Sequence, residues 1–433
     1  MAKQEIAPLP PYPRLGECYR LLAKALDTKA SNRQVDQLAR QGDFDWQLLA
    51  SLRDELLEAP LSSRSNAQFA RFVASAVETL QESYVQLIKT IALDALTREQ
   101  ALPVLAEHFL APYLGSFLLQ MHKAIPSPPL AQLLDEQHHP VGVTLAWLEH
   151  ELEIAPNHLG QQLYHDASGE NKNGREAIRR WRQGEQLPDL QSTALLHQTL
   201  QAQFPACPLL LRAFTEWLIV ARALTVLDSA ASGFVRLRHC VLQQVLSDIP
   251  IIDIGVMLSM LNIQAAAHKR ELVERGLLLF EQLKRTTEKS LGDQARTRYA
   301  LDQFRVLLGH HDPEGISTYY LEWLEGRWHV LAGQLDTALL HFEAAADLDL
   351  YRSGQTQKDI LREALLLAAY LGKRPLYKRL KHRALAMGLS YLPSWEESVA
   401  SDHELKLIRD NFTVKFPERG RFVDPVPAFS ALH

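Results

Sequence analysis

From Leu15 onward, almost every stretch of this chain repeats its apolar residues at intervals of three and four. The clearest run is Phe69, Val73, Ala76, Leu80, Tyr84, Leu87, Ile91 and Ala95. Residues at that spacing line one side of an α-helix, whereas a half-buried strand alternates with a period of two. The run predicts one helix from Asn66 to Asp94, about 43 Å long at a rise of ~1.5 Å per residue. Phe72, Val77, Val85 and Ile88 widen the stripe beyond the narrow seam of a coiled coil, so it reads as the spine of a helical domain. The fold class expected is all-α, with helix content well above the globular average of about a third.

Proline, glycine and polar breaks divide the chain. Met1 to Pro13 carries Pro8, Pro10, Pro11 and Pro13 and reads as an extended arm. Three short helices, Arg14–Leu26, Ser31–Gln41 and Asp45–Ala59, precede the long one, and two more follow it with a break near Pro112. Ile125-Pro-Ser-Pro-Pro129 and His138-His-Pro140 mark a first boundary. After Phe204-Pro-Ala-Cys-Pro208 the helices expected are Leu209–Ala231, Phe234–Ser247, a short one past Pro250, Gln264–Lys284 and Asp293–Leu308. Helices that pair up follow: Gly315–Leu331, Leu335–Asp349, Thr356–Leu371 and Pro375–Gly388, then Ser394–Arg409. The organisation expected is an N-terminal helical domain over 1–130, a middle unit over 141–204, a helical-repeat-like domain over 208–410 and a Pro-rich tail over 411–433.

With 433 residues the chain can build a sizeable core, and a net charge of −5 restricts any nucleic-acid binding to local patches. Cys18, Cys207 and Cys240 form no Cys-x-x-Cys pair, which suits a reducing compartment. The N-terminus lacks the apolar core of a signal peptide, and Pro208–Leu227 is interrupted by Arg212, Glu216 and Arg222. A cytoplasmic protein with no membrane partner is expected. Catalytic signatures fail one by one. Gly169 to Gly174 has the glycine spacing of a phosphate loop without its Lys and Ser/Thr. His150-Glu151 and His403-Glu404 lack the second histidine of a zinc-protease helix. His138-His139 and His310-His311-Asp312 have no third ligand on a common face, and no Gly-x-Ser-x-Gly elbow occurs. No enzyme, no cofactor and no metal are expected.

The densest positive charge lies in Asn173-Gly-Arg-Glu-Ala-Ile-Arg-Arg-Trp-Arg-Gln-Gly184. Asn173 is a good N-cap with Glu176 three residues on, as in a capping box, and Gly184 suits the residue past a helix end. Ala177, Ile178 and Trp181 project to one side, and Arg175, Arg179 and Arg182 to the other. Pro188 suits the first turn of the next helix. Trp181-x-x-Gly184 followed by Pro188 resembles the last half of an XRE (Cro/C1)-type helix-turn-helix, with Val143–Leu152 and Pro156–Tyr164 as the preceding helices. The resemblance covers Val141–Phe204 and departs from the pattern at Asp166–Asn173, longer than a turn of about 3–4 residues. It implies double-stranded DNA as partner, a role in regulation, and Lys172, Arg175, Arg179, Arg180 and Arg182 as DNA-binding residues, and it leaves a homodimer open. The competing reading is a solvated basic face on a non-enzymatic helical scaffold or adaptor that binds only protein.

Glu322–Leu350 weakly resembles a tetratricopeptide repeat through Gly326, Gly333, Ala338, Phe342 and Ala345. Small residues let two antiparallel helices approach while Phe342 fills the gap. Glu322 stands at the first aromatic position with Trp323 one residue late, and Leu350 replaces the closing proline. The resemblance implies a helical-hairpin array holding a protein or peptide partner. A second basic cluster, Lys373, Arg374, Lys378, Arg379, Lys381 and Arg383, is expected to be exposed, because Leu376, Leu380, Ala384 and Met387 form that helix's apolar stripe.

Overall fold

The computed structural model describes residues 9–28, 35, 46–155, 159, 172–246, 253–285 and 291–388. The expected helices at Pro156–Tyr164 and Ser394–Arg409, nearly all of Ser31–Gln41, the connection before Lys172 and the tail over 411–433 lie outside those residues. Among the described residues every regular element is a helix and no strand occurs, so the all-α class holds.

In chain order, α1 (Leu15–Leu26) is followed by α2 (Trp46–Arg53), a π turn (Asp54–Glu58) and α3 (Ala59–Arg64). Next come α4 (Ala67–Thr90), α5 (Arg98–Leu105), a second π turn (Ala106–Leu110) and α6 (Ala111–Ala124). Then follow α7 (Leu130–Leu134), α8 (Pro140–Glu151), α9 (Lys172–Gln183), α10 (Leu190–Gln203), α11 (Pro208–Ala231) and α12 (Leu237–Leu246). The remaining helices are α13 (Ile254–His268), α14 (Arg270–Arg285), α15 (Leu291–His311), α16 (Thr318–Leu331), α17 (Leu335–Leu348), α18 (Thr356–Tyr370) and α19 (Arg374–Ala386).

The long helix starts where expected, with the Asn66 side chain accepting from the Phe69 amide at 2.8 Å. It ends at Thr90 rather than at Asp94, because the peptide groups beyond it bond to distant partners. The Leu93 amide donates to the Arg352 carbonyl at 2.7 Å. The Ala95 amide donates to Asn262 Oδ1 at 2.9 Å, and within the last turn of the helix the Ile88 carbonyl accepts from Gln357 Nε2 at 2.9 Å. Gly354, at φ +55°, lets the chain approach so closely that a Cβ there would lie 2.5 Å from the Ala92 nitrogen. The N-terminal arm meets the same place: the Tyr12 hydroxyl donates to the Ile91 carbonyl at 3.2 Å, and the Leu15 amide to the Tyr351 hydroxyl at 3.1 Å. Two further boundaries differ from expectation. Pro112 does not end a helix, since it sits in the first turn of α6 just past the π turn. Gln264–Lys284 is not continuous, since Lys269 separates α13 from α14.

One buried apolar cluster runs from Tyr12 to Met387, centred on α11, whose Trp217 is fully buried and donates to the Pro126 carbonyl at 3.0 Å. α11 packs on α1, α8 and α10, and from α14 to α19 each helix packs on the next. The closest approach in that series is between α16 and α17, where a Cβ at Gly326 would lie 2.6 Å from the fully buried Phe342 ring. A smaller cluster of Leu272, Leu279, Leu301, Phe304 and Leu324 sits beneath α14, α15 and α16. Arg98–Ala124 is long and apolar enough to cross a membrane by length and composition, and its α6 part packs on α12.

Candidate functional site

The cationic helix α9 packs on α8, and the contact is close. A Cβ at Gly142 would lie 2.8 Å from the Arg182 carbonyl oxygen. Ile178 and Trp181 are buried at that contact side, as the apolar spacing predicts. No hydrogen-bond acceptor meets the Trp181 indole N–H among the described residues. Gly184 takes φ +76°, and a Cβ there would overlap the His139 ring at 2.6 Å, so the glycine of the Trp-x-x-Gly pattern is required by packing as well as by backbone.

The five basic residues of this segment have separate fates. The helix already begins at Lys172, so Asn173 is not the N-cap of the expected capping box, and the Lys172 and Asn173 side chains lie outside the description. Arg175, Arg179 and Arg180 are exposed. Arg179 Nε and Nη2 donate to both oxygens of Glu176 at 2.9 and 2.8 Å, and Nη2 also reaches Glu185 at 3.1 Å. Arg180 Nε donates to Glu176 at 2.9 Å. Those hydrogen bonds from Arg179, then Arg180, pull the Glu176 carboxyl down to about 2. Arg182 turns away from the other cations and donates to the buried Glu149 of α8 at 2.8 Å.

The second basic cluster is not an open cationic face, which corrects the expectation of exposure. Lys381 and Arg383 are buried, and Arg383 donates to Asp347 at 2.9 Å and to the Ala346 carbonyl. Arg379 meets Glu343 at 2.8 Å, and Lys373 meets Asp336 at 3.0 Å. The reason is the hairpin register, which sets α19 beside α18 with the acidic side of α17 in reach.

Exposed apolar side chains gather on α13 and α14. Val256, Met260 and Ile263 stand at i, i+4 and i+7 on α13, with Val273, Leu277 and Leu278 on α14, and all six are exposed. Ile263 is 68% exposed and Leu278 65%, although Leu258 on the same α13 is fully buried. By contrast, an apolar cavity of about 350 Å³ between α1, α4, α6 and α11 has Tyr113 as its one ionisable lining residue. It offers no acid, base or metal ligand.

Of the tandem histidines, His138 Nδ1 bonds Asp135 at 2.9 Å, while the buried His139 Nδ1 meets no partner among the described residues, and Asp312 beside the second pair is taken by Lys269 at 3.2 Å and the Ser317 amide at 2.6 Å. The histidines that do converge are His329 of α16 and His341 of α17, next to Glu325. They stand on the two helices of one hairpin, so the periodicity of neither helix alone pairs them. The signal was the hairpin itself, whose Gly326–Phe342 contact sets the register that brings residue 329 opposite 341.

No family model matches the chain, and no curated protein or solved structure matches it either. What its architecture defines is the all-α class, with the helices from α14 to α19 packed each on the next.

Proposed function

We propose that this chain is a non-enzymatic helical scaffold that binds a protein partner through α13 and α14. The observation that supports this reading most is the exposed row Val256, Met260, Ile263, Val273, Leu277 and Leu278. Exposed apolar residues gathered on two consecutive helices mark an interaction surface more often than singly scattered ones do. The i, i+4, i+7 spacing on α13 suits a partner that presents an amphipathic helix, and Met260 adapts its shape to such a partner at little cost.

The test places a photo-crosslinker at Met260 in the native cell. One dominant protein adduct is expected, lost in Ile263→Lys/Leu277→Lys and retained in Arg175→Ala/Arg179→Ala/Arg180→Ala. An adduct unaffected by the lysine pair would sink the reading.

A second reading, a DNA-binding regulator of the helix-turn-helix class, is favoured by one observation: Arg175, Arg179 and Arg180 share an exposed side of α9. Surface ion pairs such as those to Glu176 are weak enough for phosphate to displace, although two carboxylates then face the backbone. Its test titrates labelled genomic duplex at two salt concentrations. Binding that is lost in the triple alanine variant, with a shallower salt slope, would establish it; no binding at low salt would remove it.

A further inference from the structure

We propose that His329, His341 and Glu325 form a site for one divalent transition-metal ion of the zinc class, bridging α16 and α17. The proposal is independent of the scaffold reading.

One ligand atom from each of the three side chains lies within 4.8 Å of the other two. The two imidazoles are stacked, with centroids 5.0 Å apart and planes 10° from parallel. Each already has the outer partner that a metal-binding histidine usually needs. His341 Nδ1 meets Glu322 Oε2 at 2.6 Å, and His329 Nδ1 meets Gln334 Oε1 at 2.7 Å. A proton held on Nδ1 toward such an oxygen leaves the lone pair on Nε2, and orients the ring. Glu322 and Gln334 thus do for these rings what second-shell groups do at zinc sites.

Glu325 is buried, and its Oε1 accepts from Arg298 and Arg305. Its Oε2 accepts from Arg298 Nη1 at 2.6 Å. A carboxylate oxygen has two lone-pair directions, so Oε2 keeps one for a metal. The surrounding formal charge also favours a cation. Glu322, Glu325 and Asp302 contribute −3, and Arg298 and Arg305 contribute +2, which leaves −1 in the cluster.

A tetrahedral ion with bonds of about 2.0–2.2 Å needs ligand atoms roughly 3.4 Å apart. The three must draw in by no more than roughly 1.4 Å from the observed limit, and since the rings lie 10° from parallel, one imidazole must also turn about its Nδ1 hydrogen bond so that both in-plane lone pairs meet on one ion. Two imidazoles with one carboxylate suit zinc, copper, iron or nickel rather than calcium or magnesium. Both histidines are partly open, so the fourth position faces solvent.

The experiment titrates the full chain with Co²⁺, whose visible bands report nitrogen coordination, and then displaces it with Zn²⁺. A band saturating at one equivalent is expected, unchanged in His310→Ala/His311→Ala and lost in His329→Ala and in His341→Ala. Melting in chelator checks that each variant is folded. Glu322→Gln, which touches no proposed ligand atom on the metal, should weaken binding by about 10–100-fold. No saturable band in the wild-type chain overturns the site, and so does a band that survives in the folded His329→Ala and His341→Ala variants. Full affinity in Glu322→Gln would overturn the orienting role.

Discussion

Two glutamates of this chain meet arginine side chains, and their carboxyls move in opposite directions. Glu363 of α18 accepts from Trp323 Nε1 at 2.7 Å and from Arg327 Nε at 3.0 Å, with Arg327 held between the Phe280 and Trp323 rings at 4.5 Å from each. Its side chain is 1% exposed, and burial pushes its carboxyl above the ordinary value against the pull of Arg327. Glu176 of α9 meets two guanidinium groups in open solvent, and its carboxyl falls to about 2. The pairing chemistry is the same; access of water differs. Inside, desolvation outweighs attraction, and outside, the hydrogen bonds act against almost no desolvation.

The sharpest way to break this comparison is to remove one buried partner. Glu363→Ala leaves the Arg327 charge buried and should lower the unfolding free energy in urea by about 3–5 kcal/mol. Arg327→Met/Glu363→Leu should lose far less, because apolar residues of similar volume escape the desolvation cost. Equal losses in the single and double variants would mean that attraction wins inside as well.

α9 carries both environments on one helix. Trp181 is 2% exposed, and Trp181→Ala should cost about 3–5 kcal/mol. A variant that melts like wild type would contradict the packing of α9 on α8.

The buried pair is costly to disturb only if α16 cannot shift. Gly326→Ala tests this by setting a Cβ against the Phe342 ring. Overpacking of about 1–3 kcal/mol, reduced by about 1 kcal/mol of gained helix propensity, predicts a net loss of about 0–2 kcal/mol. A stabilised variant would show that the hairpin gives way.

A pH series sharpens the contrast further. The folded carboxyl of Glu363 lies above its unfolded value, so between the two the folded state holds more protons and stability falls as pH rises. Glu363→Gln should remove that part of the slope in urea titrations across this window. For Glu176 the sign reverses: its contribution is present above the ordinary carboxylate value and is lost as pH falls toward about 2.

The smallest effect is expected from Glu176→Ala, which should leave the melting temperature unchanged at physiological salt, since exposed pairs are screened. A clear drop there would place this pair with the buried one.

Contacts within a turn or two could be read without a fold. The Asn66 cap and Gly326 opposite Phe342 across the turn at Gly333 belong to that kind, whereas Glu176, expected to serve an Asn173 capping box, is held by Arg179 and Arg180 instead. Each depends on the geometry of one helix or one hairpin, which residue spacing encodes directly. The all-α class follows for the same reason, because apolar period sets what a segment can bury. The end of α4 was not legible: Ile91 and Ala95 continue its stripe, yet Arg352 and Asn262 take the peptide groups of Leu93 and Ala95. Arg182 looked like the third cation of an open face until α8 brought Glu149 to it. The exposed look of Lys381 and Arg383 misled in the same way. Which helix lies against which depends on the burial summed over the whole core, and no local spacing carries that sum. The sequence therefore determined the helices and their turns, and the tertiary structure alone decided which charges are hidden, which are paired and which remain in water.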